Sequence, residues 1–376
     1  MVENKDKKVL NVPHLRFPEF SGEWEKHTIG ELCEEFKSGK NIKAENIQAG
    51  GVYPVFGGNG LRGYADRYNH EGDYVLIGRQ GALCGNVRFV TGKTYITEHA
   101  IAAKATNNNY THFLEYLFVR LNLGQFSDQS AQPGLAVNKL LKIETFAPSK
   151  EEQYKIASLL KFLDERIATQ NKVIEDLKKL KSAIAERVYN CRTYQLYRIG
   201  DVIEQVSKRN TRMSIDKVLS VSNKLGFINQ SEQFEDRIVA SEDTSNYKIV
   251  YKDDFAYNPA RINVGSIARL KHFNKGIVSP MYICFRVKQG IVLDYLEYFF
   301  TTNYFFYEMQ KRLEGSVRQC LSFEGLCNIP IYIPNLDEQQ KIGRKVSVIM
   351  EKIDNENRYL DSLKMQKQYL LRQMFI

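Results

Sequence analysis

Apolar residues recur at alternating spacings of four and three along the stretch from Pro148 to Tyr189. Eight of ten positions in this series are apolar, and the other two hold Gln170 and Lys181. This spacing is typical of one face of a long helix that packs against another helix. The ten positions are Ile156, Leu160, Leu163, Ile167, Gln170, Ile174, Leu177, Lys181, Ile184 and Val188.

The same series occurs a second time, shifted by 186 positions along the chain. The same eight positions are apolar and the same two are polar, and the residues before each series also agree. Because two independent helices would rarely share their interruptions, we interpret the match as an internal duplication. The second series is Ile342, Val346, Ile349, Ile353, Glu356, Leu360, Leu363, Lys367, Leu370 and Met374, and the matched leading residues are Pro148, Glu152 and Gln153 with Pro334, Glu338 and Gln339.

Each helix of about 40 residues would be roughly 60 Å long, which exceeds the core of one small domain. We predict that the two helices pack on each other as an antiparallel coiled coil and act as a rigid spacer. Solvated surface helices are the alternative. A lysine on the packed face is tolerated when its alkyl stem lies along apolar surface and its ammonium reaches water.

Short apolar runs between turn residues fill the rest of the chain, which indicates β-rich domains. The glycine-rich loop from Gly57 to Gly63 has no visible counterpart in the second half, although other segments repeat loosely. The predicted fold is α+β, with two β-rich α/β domains separated by two long antiparallel coiled-coil helices. The predicted order is an arm at 1–20, a first domain at 21–147, a helix at 148–190, a second domain at 194–333 and a helix at 334–376.

The chain carries 53 Lys and Arg against 44 Asp and Glu, a formal net charge of +9. This balance favours an anionic partner, nucleic acid before membrane. Six cysteines show no Cys-x-x-Cys pair, so we expect reduced thiols and no metal site. The N-terminus lacks an apolar run, and no stretch approaches about 18 apolar residues, so we expect neither a secretory signal nor a membrane span.

Two motifs suggest enzyme chemistry but lack its context. The run Gly58-Asn59-Gly60-Leu61-Arg62-Gly63 fits the dinucleotide fingerprint, which needs a helix to begin at its last glycine, and the following residues start a helix poorly. Asn258-Pro259 resembles the start of an amino-methyltransferase motif, but alanine and arginine follow. Paired carboxylates for a nuclease metal and Walker sequences are absent from the sequence. We therefore predict a non-catalytic chain.

Polar and basic residues at strand ends and loops are the candidate DNA contacts. Arginine fits guanine bidentately, and asparagine or glutamine fits adenine, so these residue types suit base recognition. Each could instead be a solvated loop residue or a turn-capping amide, and His99 could be a buried, hydrogen-bonded histidine. The candidates are Arg62, Tyr64, Arg79, Gln80, Asn86, His99, Arg261, Asn263, Arg318 and Gln319.

With these residues in view, the chain resembles the specificity subunit of type I restriction–modification enzymes (HsdS). The resemblance covers essentially the whole length, including the repeat. It is carried by Leu15-Arg16-Phe17-Pro18-Glu19-Phe20 with Trp24-Glu25, by Tyr53-Pro54-Val55-Phe56-Gly57-Gly58-Asn59-Gly60, by Leu76-Ile77-Gly78-Arg79-Gln80-Gly81 with Gly85-Asn86-Val87, and by the Pro…Glu-Gln-x-Lys-Ile helix starts at 148 and 334.

The resemblance implies two target-recognition domains in a pseudo-two-fold internal repeat, each reading one half of a bipartite, asymmetric double-stranded DNA target. It implies that the helix pair sets the spacer between the half-sites and docks two modification subunits, with restriction subunits added. S-adenosylmethionine, ATP and Mg would then belong to partner subunits only. The expected location is the bacterial cytoplasm, associated with the nucleoid.

Two alternatives remain at this stage. One is a coiled-coil adaptor that binds only proteins through its β-rich domains. The other is a self-contained methyltransferase or nuclease, which the missing cofactor and metal motifs disfavour. A steep loss of DNA affinity with added salt would speak against the adaptor, because released counterions produce that dependence.

Overall fold

The computed structural model describes residues 10–81, 83–128, 134–223, 225–230, 243–315 and 319–376. The described chain forms two compact units. Unit 1 contains the residues up to Asn171 together with Arg358–Ile376, and unit 2 contains Lys172–Asn357. Each unit therefore holds one β-rich region and a part of each long helix.

Unit 1 forms strands where short apolar runs precede turn residues. A capping box starts its first short helix, because Thr28 Oγ1 accepts from Glu31 N and Thr28 N donates to Glu31 Oε2. The strands are β1 (Glu25–Thr28), β2 (Cys33–Ser38), β3 (Tyr53–Gly57), β4 (Gly60–Ala65), β5 (His70–Glu71), β6 (Tyr74–Gly78), β7 (Val87–Val90), β8 (Lys93–Ile96), β9 (Ala100–Ala105) and β10 (Glu144–Ala147). The helices are α1 (Ile29–Leu32), α2 (Thr111–Leu121), α3 (Val137–Leu140) and the long α4 (Lys150–Tyr189), which begins here.

The strands of unit 1 form three sheets. One has the order β2-β9-β6-β7, and another has the order β4-β3-β8-β5, in which β3 and β8 run parallel. The third pairs β1 with β10, and this pair leads directly to the start of α4.

Unit 2 contains the elements that follow α4. Its strands are β11 (Gln195–Arg198), β12 (Ile203–Val206), β13 (Val218–Ser222), β14 (Gly226–Asn229), β15 (Lys248–Tyr251), β16 (Phe255–Tyr257), β17 (Ile267–Arg269), β18 (Lys275–Val278), β19 (Ile283–Val287) and β20 (Pro330–Ile333). Its helices are α5 (Ile199–Val202), α6 (Leu293–Phe299), α7 (Asn303–Gln310), α8 (Phe323–Cys327) and the long α9 (Leu336–Gln373), which begins here.

Unit 2 repeats the topology of unit 1 strand for strand. Its sheets have the orders β12-β19-β16-β17 and β14-β13-β18-β15, with β13 and β18 parallel, and β11 pairs with β20. The predicted α+β fold with an internal repeat is confirmed. The predicted boundaries of the arm and domains stay predictions; the long helices span Lys150–Tyr189 and Leu336–Gln373.

The glycine-rich loop has a counterpart in topology although it has none in sequence. In unit 1, Gly57 pairs with Gly60 across the β3–β4 turn, and in unit 2 Ser222 pairs with Gly226 across the β13–β14 turn. Gly60 and Gly226 both have positive φ, at 104° and 68°. Glycine supplies the positive φ beside each of these turns, whereas the other turn residues can differ. The two hairpins therefore correspond in topology without a visible likeness in sequence.

The core of unit 1 joins its sheets and α2 to both long helices. Ile156 and Leu160 from the first part of α4 share one buried cluster with Leu371 and Met374 from the end of α9. Farther along, Arg166 contacts the Tyr359 side chain. The order of these contacts shows that the two helix segments run antiparallel within unit 1.

Unit 2 is built in the same way. Ala185 and Tyr189 from the end of α4 share a buried cluster with Ile342 and Val346 from the start of α9. Each unit therefore closes its core with both helices. The twelve residues predicted for the packed faces are all buried or half-buried: Ile156, Leu160, Leu163, Ile167, Ile174, Leu177, Ile342, Val346, Ile349, Ile353, Leu360 and Leu363.

The repeated Pro…Glu-Gln sequence ties each long helix to the domain beside it. Gln153 is buried, its Nε2 donates to Pro148 O at 2.9 Å, and its Oε1 accepts from Tyr110 N, just before α2, at 2.9 Å. The side chain must both donate and accept, which a carboxylate cannot do. The same bonds in unit 2 join Gln339 to Pro334 O and to Val292 N, just before α6, each at 2.9 Å.

The described part of the N-terminal arm packs on unit 1. Leu15 N donates to Gln373 O at 2.8 Å, at the end of α9. Arg16 binds Glu152 bidentately, at 2.8 Å from Nε to Oε1 and 2.7 Å from Nη2 to Oε2. The Glu152 side chain is only 1% exposed, so its charge depends on this arginine and on Trp24 Nε1 at 3.4 Å.

In unit 1, the packed-face lysine has a carboxylate partner. Lys367 donates to Asp164 Oδ1 at 2.5 Å and lies over the ring of Tyr116. Tyr116 OH donates to Asp164 Oδ2 at 2.9 Å. The lysine therefore sits half-buried with its charge compensated.

The corresponding lysine of unit 2 lies in a different environment. The duplication places Met350 where unit 1 has Asp164. Burial lowers the pKa of Lys181, and Asp354 opposes this only in part. Burial therefore disfavours the charged form of Lys181 in the folded protein.

We expect Arg16→Ala to lower the free energy of unfolding by about 3–5 kcal/mol, because it leaves the buried Glu152 carboxylate without its cation. Urea unfolding of the full chain measures this. Lys155→Ala is the matched control: its pair with Glu19 is half exposed, and losing it should cost less than about 1 kcal/mol. Equal effects of the two substitutions would contradict the assigned role of Arg16.

Lys181→Met should stabilise the protein by about 0.5–2 kcal/mol at pH 7. The folded-state pKa of Lys181 lies below its ordinary value of 10.5, so the folded protein holds this proton less tightly than the unfolded chain. The stability of the natural protein should therefore gain as pH rises toward 10.5, and the advantage of the variant should shrink there. Lys367→Met removes the cation that pairs with Asp164 and should therefore lower the free energy of unfolding. An equal decrease for Lys181→Met would contradict the difference assigned to the two lysines.

Candidate nucleic-acid interface

At one end of the unit 1 sheets, three segments converge: the β3–β4 hairpin, the loop between β6 and β7, and the residues just before β9. We call this surface the loop face of unit 1. A cavity of about 490 Å³ opens between these segments. Three predicted DNA contacts, Arg62, Gln80 and His99, line it together with Asn59.

Close backbone approach holds the hairpin in place. A Cβ on Gly58 would lie 2.7 Å from His99 O and 3.5 Å from the Cα of Gly78. Only glycine permits this contact without displacing backbone. The glycine-rich run thus serves close packing of strands, and Gly60–Ala65 is a strand rather than the helix that a dinucleotide site requires.

Two polar side chains on the loop face, His99 and Gln80, lie within hydrogen-bonding distance of each other. His99 Nδ1 lies 3.2 Å from Gln80 Oε1, and His99 Nε2 lies 3.2 Å from Glu98 Oε1. Both His99 and Gln80 are exposed. The interpretation of His99 as a buried histidine is wrong, although its hydrogen bonding was foreseen.

Arg79 anchors the loop through its backbone. Its N donates to His99 O at 2.9 Å, and its O accepts from Leu135 N at 2.9 Å. The Cys84 thiol also donates to Arg79 O, at 3.3 Å, and burial raises the pKa of this thiol, which keeps it protonated. The half-buried Arg79 side chain is thus carried on a backbone fixed from three directions.

Asn86 and Tyr64 lie outside the lining of the cavity. Asn86 is exposed, and its O accepts from Gly78 N at 2.8 Å at the far end of the same loop. Tyr64 lies farther along β4, where its backbone pairs with Gln48 and a Cβ on Gly51 would meet its side chain. The loop face therefore groups Arg62, Gln80 and His99 more closely than these two.

Sequence analysis missed Arg88. A Cβ on Gly60 would lie 3.2 Å from Arg88 Nη2, so this exposed guanidinium sits against the hairpin turn. The alternation of Val87, Arg88 and Phe89 along β7 was the available signal, because it places the arginine on the outer face of the strand.

Unit 2 has a loop face of the same construction. Leu321 N donates to Pro259 O at 3.1 Å, which matches the bond from Leu135 to Arg79 in unit 1. Ile262 is fully buried beneath the loop between β16 and β17, and it anchors the exposed Arg261 and Asn263 on either side. Loops at equivalent positions thus carry candidate contacts in both units.

The remaining predicted contacts lie on the segment that leads to α8. Gln319 is exposed, next to Cys320, whose backbone pairs with Glu314. Arg318 lies outside the described residues. The prediction for Gln319 stays a prediction.

A basic cluster in unit 2 was also missed. Lys208, Arg209, Arg212 and Lys275 line a cavity of about 510 Å³. Buried Asn210 fixes the backbone between the first three, because its N donates to Tyr247 O and its Nδ2 donates to Ile215 O, each at 2.9 Å. The run Lys208-Arg209-Asn210-Thr211-Arg212 was a visible signal. Such cations are typical of phosphate contacts.

Within the described ranges, no three or more His, Cys, Asp or Glu side chains group as metal ligands would. Across the same residues, no helix combines the length and apolar character needed to cross a membrane.

A family model described as the type I restriction modification DNA specificity domain matches the chain twice, over residues 21–179 and 192–365. Together these matches cover most of the chain. The chain belongs to this family. It carries two copies of the specificity domain, and the copies correspond to the repeat seen in the sheets.

Relatives support the family assignment. The specificity subunit of the type I restriction enzyme EcoprrI from Escherichia coli is 39% identical over 180 residues, spanning 47% of this chain and 44% of the relative. A putative type I specificity subunit from Mycoplasma genitalium is 24% identical over 384 residues, spanning 94% of each chain.

A solved structure supports the fold. The crystal structure of a type I restriction–modification S subunit from M. genitalium matches with a TM-score of 0.69 at 18% identity, covering 97% of this chain and 99% of that chain. These findings agree with the resemblance drawn from the sequence and do not favour a protein-only adaptor.

We expect Gly58→Ala to destabilise the specificity domain of unit 1 by about 1–3 kcal/mol, because its Cβ would force the hairpin away from His99. Thermal unfolding and hydrogen exchange at the Arg79 amide measure the displacement. Gly50→Ala is the control, since a Cβ there meets nothing within 4 Å. Equal stability of both variants would show that the hairpin is not held by this contact.

Proposed function

We propose that this chain is the non-catalytic DNA specificity subunit of a type I restriction–modification enzyme and that it reads a bipartite, asymmetric target. The observation that carries the proposal is the repetition of one topology with different side chains on the two loop faces. A duplicated frame with divergent loops fits two half-sites of different sequence.

In unit 1, the β3–β4 hairpin and the loop after β6 enter the major groove, whose width of about 12 Å admits a two-stranded β-ribbon. Arg62 is placed to meet guanine, and Gln80 to meet adenine. His99 orients the Gln80 amide through its oxygen, whose second lone pair and the amide NH₂ can both meet adenine. Arg79 and Arg88 lie on the flanks of this surface.

In unit 2, the loop after β16 presents Arg261 and Asn263 to the second half-site. The basic cluster of Lys208, Arg209 and Arg212 holds the duplex through phosphates and contributes affinity without sequence information. Base contact and phosphate contact are thus divided between two surfaces of one unit.

The long helices fix the separation of the two half-sites, because spacing follows from the distance between reading surfaces. Two modification subunits dock on the duplicated frame and supply methyl transfer from S-adenosylmethionine. Restriction subunits supply ATP- and Mg-dependent cleavage. The assembly acts on the chromosome in the bacterial cytoplasm.

Arg261→Ala should cost about 1–3 kcal/mol of binding to the cognate duplex and relax the sequence preference at one base pair. Methylome sequencing of cells that carry the complete system with this variant measures the change. One half-site should become degenerate at one position, while the other half-site stays intact.

Lys208→Ala is the matched contrast for Arg261→Ala. As a phosphate contact, its loss should weaken binding on all sequences alike and reduce the slope of log affinity against log salt by about 1. A uniform loss for Arg261→Ala, with no base relaxed, would assign Arg261 to phosphate instead.

Inserting seven residues into each long helix, between Asn171 and Lys172 and between Asn357 and Arg358, should lengthen the spacer by about 3 base pairs. Seven residues add about 10.5 Å of helix, and one base pair rises about 3.4 Å. The methylome of the variant gives the spacer directly. An unchanged spacer with both half-sites intact would refute the role of the helices as a ruler.

A further inference from the structure

The starts of the two long helices are equivalent sites. Each is bordered by the paired strands that precede the helix, β1–β10 in unit 1 and β11–β20 in unit 2. Each is also bordered by the segment that the buried glutamine binds, before α2 or before α6. Glu152 and Glu338 occupy the same position on the first turn.

In unit 1, the chain fills this site with its own arm. Arg16 makes its bidentate pair with Glu152, and Phe17 packs against the unit 1 core. Lys155 lies 5.8 Å from the rings of both Phe17 and Phe20. The cavity that remains there is about 380 Å³, and Arg16 and Phe20 form part of its wall.

In unit 2, the equivalent site is an open groove of about 900 Å³. The chain passes from Tyr189 at the end of α4 to Gln195 at the start of β11 through a short link, which leaves no length for an arm. The Glu338 side chain is 38% exposed, against 1% for Glu152, and it pairs with the exposed Lys341 at 3.7 Å.

The side chains that line the groove resemble those around the arm in unit 1. Tyr194, which stands where unit 1 has Trp24, lines it together with Tyr197, Ile291 and Leu336. Leu336 is 49% exposed and adds apolar surface to the groove. A carboxylate among aromatic and aliphatic side chains matches an arginine flanked by apolar residues.

We propose that this groove docks an extended, arginine-bearing segment of a partner protein, in the way that the Leu15–Phe20 part of the arm occupies unit 1. The arginine pairs with Glu338, and flanking apolar residues cover Tyr194 and Leu336. The proposal is independent of which DNA the chain reads.

Charge argues against a nucleic-acid occupant. Two acidic residues, Glu338 and Asp201, are among the residues that line the groove. Lys288 is the one basic residue among the described residues of the groove lining, and its ammonium donates to Gly200 O at 3.2 Å and to Asp201 O at 3.1 Å, so this lining carries one more acidic than basic side chain. Phosphates would meet repulsion here, whereas a cationic peptide would not.

The test uses a fluorescent peptide with the sequence of residues 10–24 and the full-length chain. We expect saturable binding by anisotropy, at least about tenfold weaker for the peptide that carries alanine in place of Arg16 and for the Glu338→Gln protein. Glu351→Gln, an exposed glutamate on α9 outside the groove lining, should bind like the natural protein. Loss of binding in Glu351→Gln as well would overturn the proposal.

A photo-crosslinker at the position of Phe20 in the peptide locates the bound segment. Crosslinks to Tyr194, Tyr197 or Leu336 support the proposal, and crosslinks confined to the start of α4 would show that the peptide displaces the arm of unit 1 instead. If the full chain self-associates and Glu338→Gln abolishes this self-association, the occupant is the arm of a second copy. That result would overturn the proposal of a separate partner protein.

A grafted arm tests the same groove when a free peptide binds too weakly because of the entropy it loses on binding. Residues 11–23 are inserted after Arg192 of the full chain, with and without Arg16 of the graft changed to alanine. A higher urea midpoint for the arginine graft supports the proposal. Equal midpoints for the two grafts, together with no peptide binding, overturn it.

Discussion

Burial of the apolar faces of α4 and α9 is the constraint on which both units depend. In unit 1, Leu160 completes a core that also needs Leu371, and in unit 2 Tyr189 completes a core that also needs Ile342. Neither β-rich region closes its core without segments from both helices. A change of helix register would therefore disturb the domains as well as the helix pair, which explains why the duplicated chain keeps the helix series and its leading residues while its loops diverge.

The loop faces vary because side-chain identity contributes little to holding them. Backbone bonds carry the loops: Arg79 N to His99 O in unit 1, and Leu321 N to Pro259 O in unit 2. Such bonds form with almost any residue, so a side chain on the loop can change without loss of the loop conformation. The candidate contacts are thus mounted on loops that backbone bonds hold in place, an arrangement that suits specificity built from a few positioned polar groups.

The two halves differ most where a charge is buried. Unit 1 pairs Glu152 with Arg16 and Lys367 with Asp164, whereas unit 2 exposes Glu338 and has Met350 at the position that corresponds to Asp164. A buried charge is tolerated only with its partner. Where the partner is absent, the charged side chain is either more exposed or has a shifted pKa. The arm, through Arg16, and Asp164 therefore supply the partners that compensate the buried charges of unit 1.

The sequence alone determined the duplication, the two helices and the α+β class, because an apolar period of 3.5 residues and its repeat are local, one-dimensional signals. It also placed Gln80 and His99 at strand ends or loops, whereas Arg62 lies within strand β4. It could not show that these three share one cavity, that Arg88 joins them, or that the β13–β14 hairpin matches the glycine-rich loop. Those facts depend on strand order and on which loops meet at a sheet end. Contacts between residues far apart in sequence are set by packing, and no period along the chain records them.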